Sequence, residues 1–442
     1  MAVIAPLKGV IYNQEKVGDV LKVAAPPYDV ISPQMQEGLY QKSPYNVVRL
    51  EYGKEFQADS ETDNRYTRAA EDFKKWMESG VLVRDEAPAI YPYEQDYVGK
   101  DGSIKTRKGF IARVRLEEFD SGVILPHERT LSGPKTDRLK LIKACRANFS
   151  PIFSLYSDPD MRTGNLLSGA TKESPIINFN DEEGISHRLW RIADEEVIKR
   201  LQEEMADKML FIADGHHRYE TALNYRNEVI KTHPHFTGAE SFNYTLMYFS
   251  NMDDKGLTVF PTHRLMYGLG EFNPGLLEER LSENFEIEKF QGVRENLKAF
   301  LERLSEKGKD THSFGVYAKG WNSAAIITLK NEGIMDTFAT DHSVAYRRLD
   351  VTILHTLIIE NLLGITRERQ ERKENIEYIQ DEMEGLSKVM DGSRQIIFIL
   401  NPTKVREVED VAMAKDKMPQ KSTYFYPKVP TGLVINVIDR RR

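Results

Sequence analysis

The stretch KMLFIADGHHRYETAL, residues 208–223, decides how the chain is read. Met209 to Ala213 form a short apolar run of strand character, and beyond Arg218 the residues Tyr219, Ala222, Leu223 and Tyr225 recur at helical spacing. Between them stand Asp214, Gly215, His216, His217 and Arg218, a polar turn at the carboxyl end of a strand, where open α/β sheets place their ligands. Unpaired N–H groups and the positive dipole end of the following helix suit such a turn to an anion, with Gly215 allowing close approach. Arg218, a partly exposed residue at the helix start, offers a planar fork for a bidentate phosphate contact. His216 and His217 can donate hydrogen bonds or move a proton near neutral pH. Asp214 can orient a histidine, hold a metal or accept a hydroxyl proton. The structural alternative makes Asp214 a helix N-cap, Gly215 a turn residue and the histidines a solvated pair. Zinc is a weaker competitor, because adjacent histidines point to different sides of a helix and no HExxH pattern is present.

Outward from this turn, helix and strand signals alternate. Residues 194–207 read as an amphipathic helix opened by acidic residues, and 64–79 as a helix stopped by Gly80. AIYPYEQDYV, GFIARVRLEEF, SPIFSLYSD and SFNYTLMYFSNM have strand content, with GKDGS at 99–103 as a turn. Residues 158–175 read as a connection and 275–306 as helical. SFGVYAKG and SAAIITLK read as a hairpin, 349–363 as a buried helix and RQIIFILNP as a core strand. The class is α/β or α+β, with mixed sheets and flanking helices. Three segments are expected: an N-terminal α+β domain over 1–165, a central domain over 186–340, and C-terminal helices and strand over 341–442.

LPHERTLSGPKTDRL, residues 125–139, is a second chemical constellation. Lys135 and Arg138 are suited to neutralising phosphoryl oxygens, Glu128 to acting as a base or magnesium ligand, and His127 to donating a hydrogen bond, with Arg129 adding a further cation. The alternative is a polar loop of mutually paired charges opening the helix that follows. FPTHRL at 260–265 offers His263 and Arg264 after a strand. PPYDVIS at 26–32 sets Tyr28 and Asp29 after two prolines, as a structural corner or a cover for a ligand. PQKSTYFYPKVPTG at 419–432, with Lys421 and Lys428, reads as a pocket wall or an ordered strand. His342 and His355 read as core or surface residues. No GxxxxGK[ST] and no GxGxxG after a strand is present, which leaves Walker-type and Rossmann nucleotide sites unsupported.

Composition narrows the classes. With 61 Lys plus Arg against 68 Asp plus Glu the net charge is -7, so nothing draws the chain as a whole to nucleic acid or an anionic membrane. A single cysteine, Cys145, excludes an internal disulfide and a Cys-rich zinc cluster. No apolar run approaches the ~20 residues of a membrane span, and no signal-peptide pattern opens the chain. The expected location is the cytoplasm.

Two resemblances follow. The strand–DGHHR–helix turn over about 186–265 resembles the phosphate-binding corner of the ParB/sulfiredoxin superfamily, which includes free-serine kinases, nucleotide-binding partition proteins and sulfiredoxin. Where sulfiredoxin has its reactive cysteine this chain has His216, so sulfinic-acid repair is not implied. APPYDVIS (25–32), HERTLSGPKTDRL (127–139), SPIFSLYSDP (150–159), ADGHHRYETAL (213–223) and MPQKSTYFYPKVPTGLVI (418–435) together resemble the family catalogued as domain of unknown function 1015. That family implies no activity. The superfamily resemblance implies a central ParB/sulfiredoxin-like subdomain.

The combined expectation is a nucleotide-dependent phosphotransferase acting on a small polar metabolite, with free serine the acceptor the superfamily suggests. Gly215, His217 and Arg218, completed by Lys135, Arg138, His127, His263 and Arg264, would hold ATP or ADP. Asp214, His216, His217 and Glu128 are the catalytic candidates, with Asp214 or Glu128 accepting the hydroxyl proton. Mg²⁺ would sit at Asp214 and Glu128. A phosphoester hydrolase and a non-catalytic nucleotide switch are the alternatives.

Overall fold

In the computed structural model, residues 2–128, 130, 132–233 and 235–439 are described, Ser132 by its backbone only. The chain forms two compact units, one of Met1–Pro126, Thr130–Thr258 and Phe425–Arg442, the other of His127–Arg129 and Val259–Tyr424. These replace the three consecutive segments expected, because strands distant in sequence complete each sheet.

The first unit is built on a nine-stranded sheet. Its strands are β1 (Ile4–Ala5), β2 (Tyr91–Val98), β3 (Ile104–Arg115), β4 (Ile124–Pro126), β5 (Ile152–Tyr156), β6 (Ile177–Asn180), β7 (Ser186–Leu189), β8 (Leu210–Asp214) and β9 (Tyr244–Asn251). Their order is β4-β8-β5-β9-β3-β2-β7-β6, with β1 beside β3. The sheet is mixed: β8 runs parallel to β4 and antiparallel to β5, while β9 runs parallel to β5 and antiparallel to β3. The expected class is therefore the observed one. In the region expected as a ParB/sulfiredoxin-like subdomain, β7, β8 and β9 pair with strands from 91–156.

Strand alternation sorts the sheet into two unlike faces. One carries Phe110, Ala112, Val114, Ile152, Ile212, Met247 and Phe249 into an apolar core with Ile198, Leu201, Tyr219 and Leu223. These last four come from α4 (Glu195–Met205) and α5 (His216–Ile230), which follow α1 (Arg65–Glu78), α2 (Ser132–Cys145) and α3 (Arg162–Ala170) in the chain. The other face carries Tyr91, Tyr93, Gln95, Arg107, Phe153 and Tyr248, each at most 2 % exposed. Helix α1 starts where Asn64 and Thr67 form a reciprocal capping box, and α4 where Asp194 accepts from the N–H groups of Glu196 and Val197. Helix α3 lies within the stretch expected as a connection. It forms because the Asp158 carboxylate accepts the Thr163 N–H at 2.9 Å, tying up a donor of its first turn.

The second unit holds a six-stranded antiparallel sheet of β10 (His263–Met266), β11 (Phe285–Phe290), β12 (Ser313–Ala318), β13 (Ala324–Leu329), β14 (Ile376–Ile379) and β15 (Ile396–Leu400), ordered β11-β13-β12-β15-β10-β14. Both faces are apolar. Phe314, Val316, Ile327 and Phe398 pack with Leu277 and Leu281, and Ile326, Ile397 and Ile399 pack with Phe300, Leu304 and Leu386. The hairpin and the RQIIFILNP strand are where they were expected. The 275–306 stretch is two helices, Pro274–Asn284 and Leu297–Lys307, separated by β11, which pairs with β13 along its whole length. Among the described residues no helix is long and apolar enough to cross a membrane.

Candidate functional site

The DGHHR turn leaves the sheet through an irregularity. Ile212 pairs with Ser154, but Asp214 pairs with Phe153, so Ala213 is an extra residue at the end of β8. A one-residue slip moves a side chain to the opposite face. Asp214 is thereby turned from the apolar face, where Ile212 sits, to the face of Phe153, Gln95 and Arg107. Gly215 follows as the N-cap of α5 with φ of 90°. A Cβ there would lie 2.8 Å from Arg218 Nε, so both the backbone and the packing require glycine.

Asp214 is held between two cations. Its Oδ2 accepts from Arg218 Nη2 at 2.8 Å and its Oδ1 from Lys428 Nζ at 3.2 Å. Burial by itself would raise its pKa, but Lys428 and Arg218, with His216 beyond them, hold the carboxyl well below the usual carboxylate range. Arg218 is also drawn inward: its Nη1 donates to the Pro151 carbonyl, and its side chain is only 10 % exposed. Arg218 is thus less exposed than expected, and its fork braces the turn. His216 is buried at the first position of α5. His217 is half-buried. Burial lowers its pKa, and Lys135 and Arg218 lower it further against the opposing Asp29 and Glu220.

Helix α2 packs along α5 and delivers the second constellation. Lys135 Nζ pairs with Glu220 at 2.8 Å, one turn beyond His216, and Thr130 Oγ1 donates to the same carboxylate at 2.7 Å. Arg138 and Arg218 line one cavity of about 40 Å³ with Glu51, Ser150, Thr221 and Thr245, space for a few waters and not for a nucleotide. Lys135 and Arg138 thus reach the neighbourhood of the turn across the intervening chain, but Arg138 is committed elsewhere. Its Nη1 donates to the Glu51 carbonyl at 2.7 Å, its Nε to Asp137 at 2.7 Å, and it pairs with the Glu51 carboxylate at 3.3 Å. Arg138, expected as a phosphate ligand, is buried and paired with Glu51 and Asp137.

His127, Glu128, His263 and Arg264 belong to the second unit. His127 is buried, its Nε2 3.1 Å from Thr423 Oγ1, and Glu128 accepts from the Lys421 N–H at 3.3 Å. His263 accepts the Leu400 N–H at 3.1 Å and lies 3.1 Å from Glu382, and Arg264 donates to His355 and to the Lys421 carbonyl. Burial lowers Arg264 to about 10; burial and Arg264 together push His355 down to about 3, so His355 is a neutral core residue. Arg129 lies outside the described residues.

Magnesium does not fit the pair expected for it. Each oxygen of Asp214 accepts from a cationic donor, surroundings that repel a divalent cation. No group of three or more His, Cys, Asp or Glu suited to a metal occurs among the described residues.

Two residues at the site were not singled out as ligands. Lys428 comes from the C-terminal segment, and Arg107 lies on β3 with its side chain on the Asp214 face. Gly109 was the available signal for Arg107: two residues on and on the same face, a Cβ there would lie 2.2 Å from the Phe249 carbonyl and 2.6 Å from the Tyr248 ring.

Residues 4–352 match the family described as "Protein of unknown function (DUF1015)". No curated protein is significantly similar to the chain. Among solved structures, a conserved hypothetical protein from Pyrococcus furiosus is 11% identical over 73% of this chain and 94% of its own, with a TM-score of 0.34. A free serine kinase in complex with AMP is 12% identical over 72% of this chain and 90% of its own, with a TM-score of 0.33. SbnI with C-terminal truncation from Staphylococcus aureus is 10% identical over 74% and 90%, with a TM-score of 0.34. Likeness at this level says nothing of activity.

Proposed function

The chain belongs to the DUF1015 family, and we propose that this member is a nucleotide-dependent phosphotransferase acting on a small polar metabolite, with the Gly215 turn as its phosphate site. The observation that carries this reading is the convergence of Arg218 and Lys428 on one strand end, beside a helix N-terminus opened by glycine. Arg218, Lys428 and the positive end of the α5 dipole, worth roughly half a charge, favour a phosphate there. Asp214 is a poor proton acceptor, since two cations stabilise its anion, and its role is to position Arg218 and Lys428. His217 takes the part of base. Its lowered pKa leaves the imidazole neutral at pH 7, and Lys135 and Glu220 lie beside it.

The test is calorimetric titration of the protein with ATP, ADP and AMP, followed by ³¹P NMR of the protein with the bound nucleotide and a panel of hydroxyl-bearing amino acids, serine first. Binding followed by a new phosphomonoester resonance that depends on nucleotide is expected. Replacement of Arg218 by lysine, which keeps the charge and loses the fork, should weaken binding roughly 10-fold or more. Phosphate release from a phosphorylated metabolite with no nucleotide present would replace this reading with a hydrolase. Tight binding with no turnover would replace it with a switch.

A further inference from the structure

Arg107 is 1 % exposed on the polar face of the first sheet. Its Nη2 donates to the Gln95 side-chain oxygen, while Nε and Nη1 have no hydrogen-bond partner among the described residues. Among the described residues no carboxylate pairs with it. Its guanidinium lies 4.7 Å from the centre of the Phe153 ring and 5.5 Å from that of Tyr248. The Tyr248 hydroxyl lies beside it, within reach of Arg107 and Ser250, which lower its pKa against the burial that raises it. A charged group with two unmet donors in the interior is costly, because burial removes its water without replacing it. Buried arginines are ordinarily paired with an anion, and this one has donors to offer one.

Its position says which anion. Phe153 is the register partner of Asp214, one strand spacing of about 4.8 Å away. Gln95, which holds Arg107, donates to the Lys428 carbonyl at 3.0 Å, and Lys428 Nζ reaches Asp214. Arg107 therefore lies on the face to which the extra residue in β8 directs Asp214, with its guanidinium over the ring of the residue that pairs with Asp214. A second phosphate adds negative charge beyond the first and calls for a further cation. Lys135 and Arg138, expected to supply it, are paired with Glu220, Glu51 and Asp137.

We propose that Arg107 binds the second phosphate of a nucleoside diphosphate or triphosphate whose first phosphate sits at the Gly215 turn. This rests on the phosphate site proposed above. The phosphate reaches Arg107 by displacing the Phe425 ring, which stands 5.7 Å from Phe153, while Lys428 keeps its hold on Asp214. Away from water its oxygens accept from Nε and Nη1 as charge-assisted bonds.

Calorimetric titration of the full chain and of Arg107→Met with ADP and with AMP tests this, with thermal unfolding of both ligand-free proteins. The expected result is an ADP Kd raised roughly 10- to 100-fold, an AMP Kd within about threefold of the parent, and a ligand-free melting temperature no lower than the parent's. ADP affinity unchanged in a parent that binds ADP overturns the inference and leaves the turn site standing. Equal losses for AMP and ADP, or a lowered melting temperature with unchanged affinity, overturn it as well, the last by showing a packing role. A parent that binds neither nucleotide overturns the turn site itself. Should Arg107→Met not fold, Arg107→Lys keeps the charge without the fork, and unaltered ADP affinity in that variant overturns the inference.

Discussion

Replacing Arg138 by alanine separates a structural arginine from a ligand-binding one. The side chains of Arg138 and Glu51 are each 5 % exposed, and the guanidinium stacks 4.2 Å above the Tyr28 ring. Truncation leaves the Glu51 carboxylate with the Ser150 hydroxyl, at 2.9 Å, in place of a cation. Asp137 fares better, because Arg65 and the Tyr66 hydroxyl still bind it. Removing one partner of a buried ion pair costs about 3–5 kcal/mol, and the partners left to Asp137 place this case near the lower end. For a unit of this size each kcal/mol moves the melting temperature by about 2–4 °C, so a drop of roughly 6–12 °C is expected. Differential scanning calorimetry with and without ADP reads both quantities, and the ligand-induced increment should persist. Replacing Glu51 by leucine in the same chain should recover much of the loss, since the stranded charge is then gone. A drop under about 3 °C accompanied by loss of the ADP increment would refute the reasoning and return Arg138 to the ligand.

Gly215→Ala forces a Cβ onto a residue with φ of 90° and within 2.8 Å of Arg218 Nε; a loss of about 1–3 kcal/mol in urea unfolding is expected, together with weakened nucleotide binding. For His217 the pKa is lowered, so its free base persists below the ordinary imidazole range of about 6.5, and the acid limb of the pH–rate profile should fall below that value. His217→Ala should remove that limb and about 10²–10⁴ of turnover, whereas an acid limb kept in the variant would assign the base elsewhere. Cys145 is buried, its thiol pushed up to about 12, so it should resist a thiol reagent in the native protein and react on denaturation, and Cys145→Ser should keep any activity.

Local signals were the legible ones. Capping residues and periodicity mark α1 and α4, and an apolar run ending in Asp-Gly marks β8 and the turn into α5. Long-range pairing was not legible. FEIEKF at 285–290 sits between two helical patterns and becomes a strand only because Ala324–Leu329 lies alongside to accept it. The cations of the 127–138 loop read as available to a ligand because Glu51 and Glu220, their partners, are 87 and 85 residues away. The extra residue in β8 was hidden for the same reason, since a register slip exists only relative to the strand beside it. Arg107 was passed over as one more basic residue in a charged stretch, its burial set by strands β5 and β9.

The first unit is closed by its last residues. Asn436–Val437 pair with Ala147–Asn148, Ile435 bridges Val10, and Lys428 completes the grip on Asp214, all after the chain has passed through the whole second unit. A ribosome adding about 5–20 residues per second needs roughly 10–30 s to travel from Thr258 to Lys428. Through that interval the nascent first unit carries the Asp214 carboxylate with Arg218 as its cation and the polar face of its sheet uncovered at Phe153. The grip on Asp214 is thus completed only once the second unit has been made, and a product ended before Lys428 lacks it however well its earlier strands have folded.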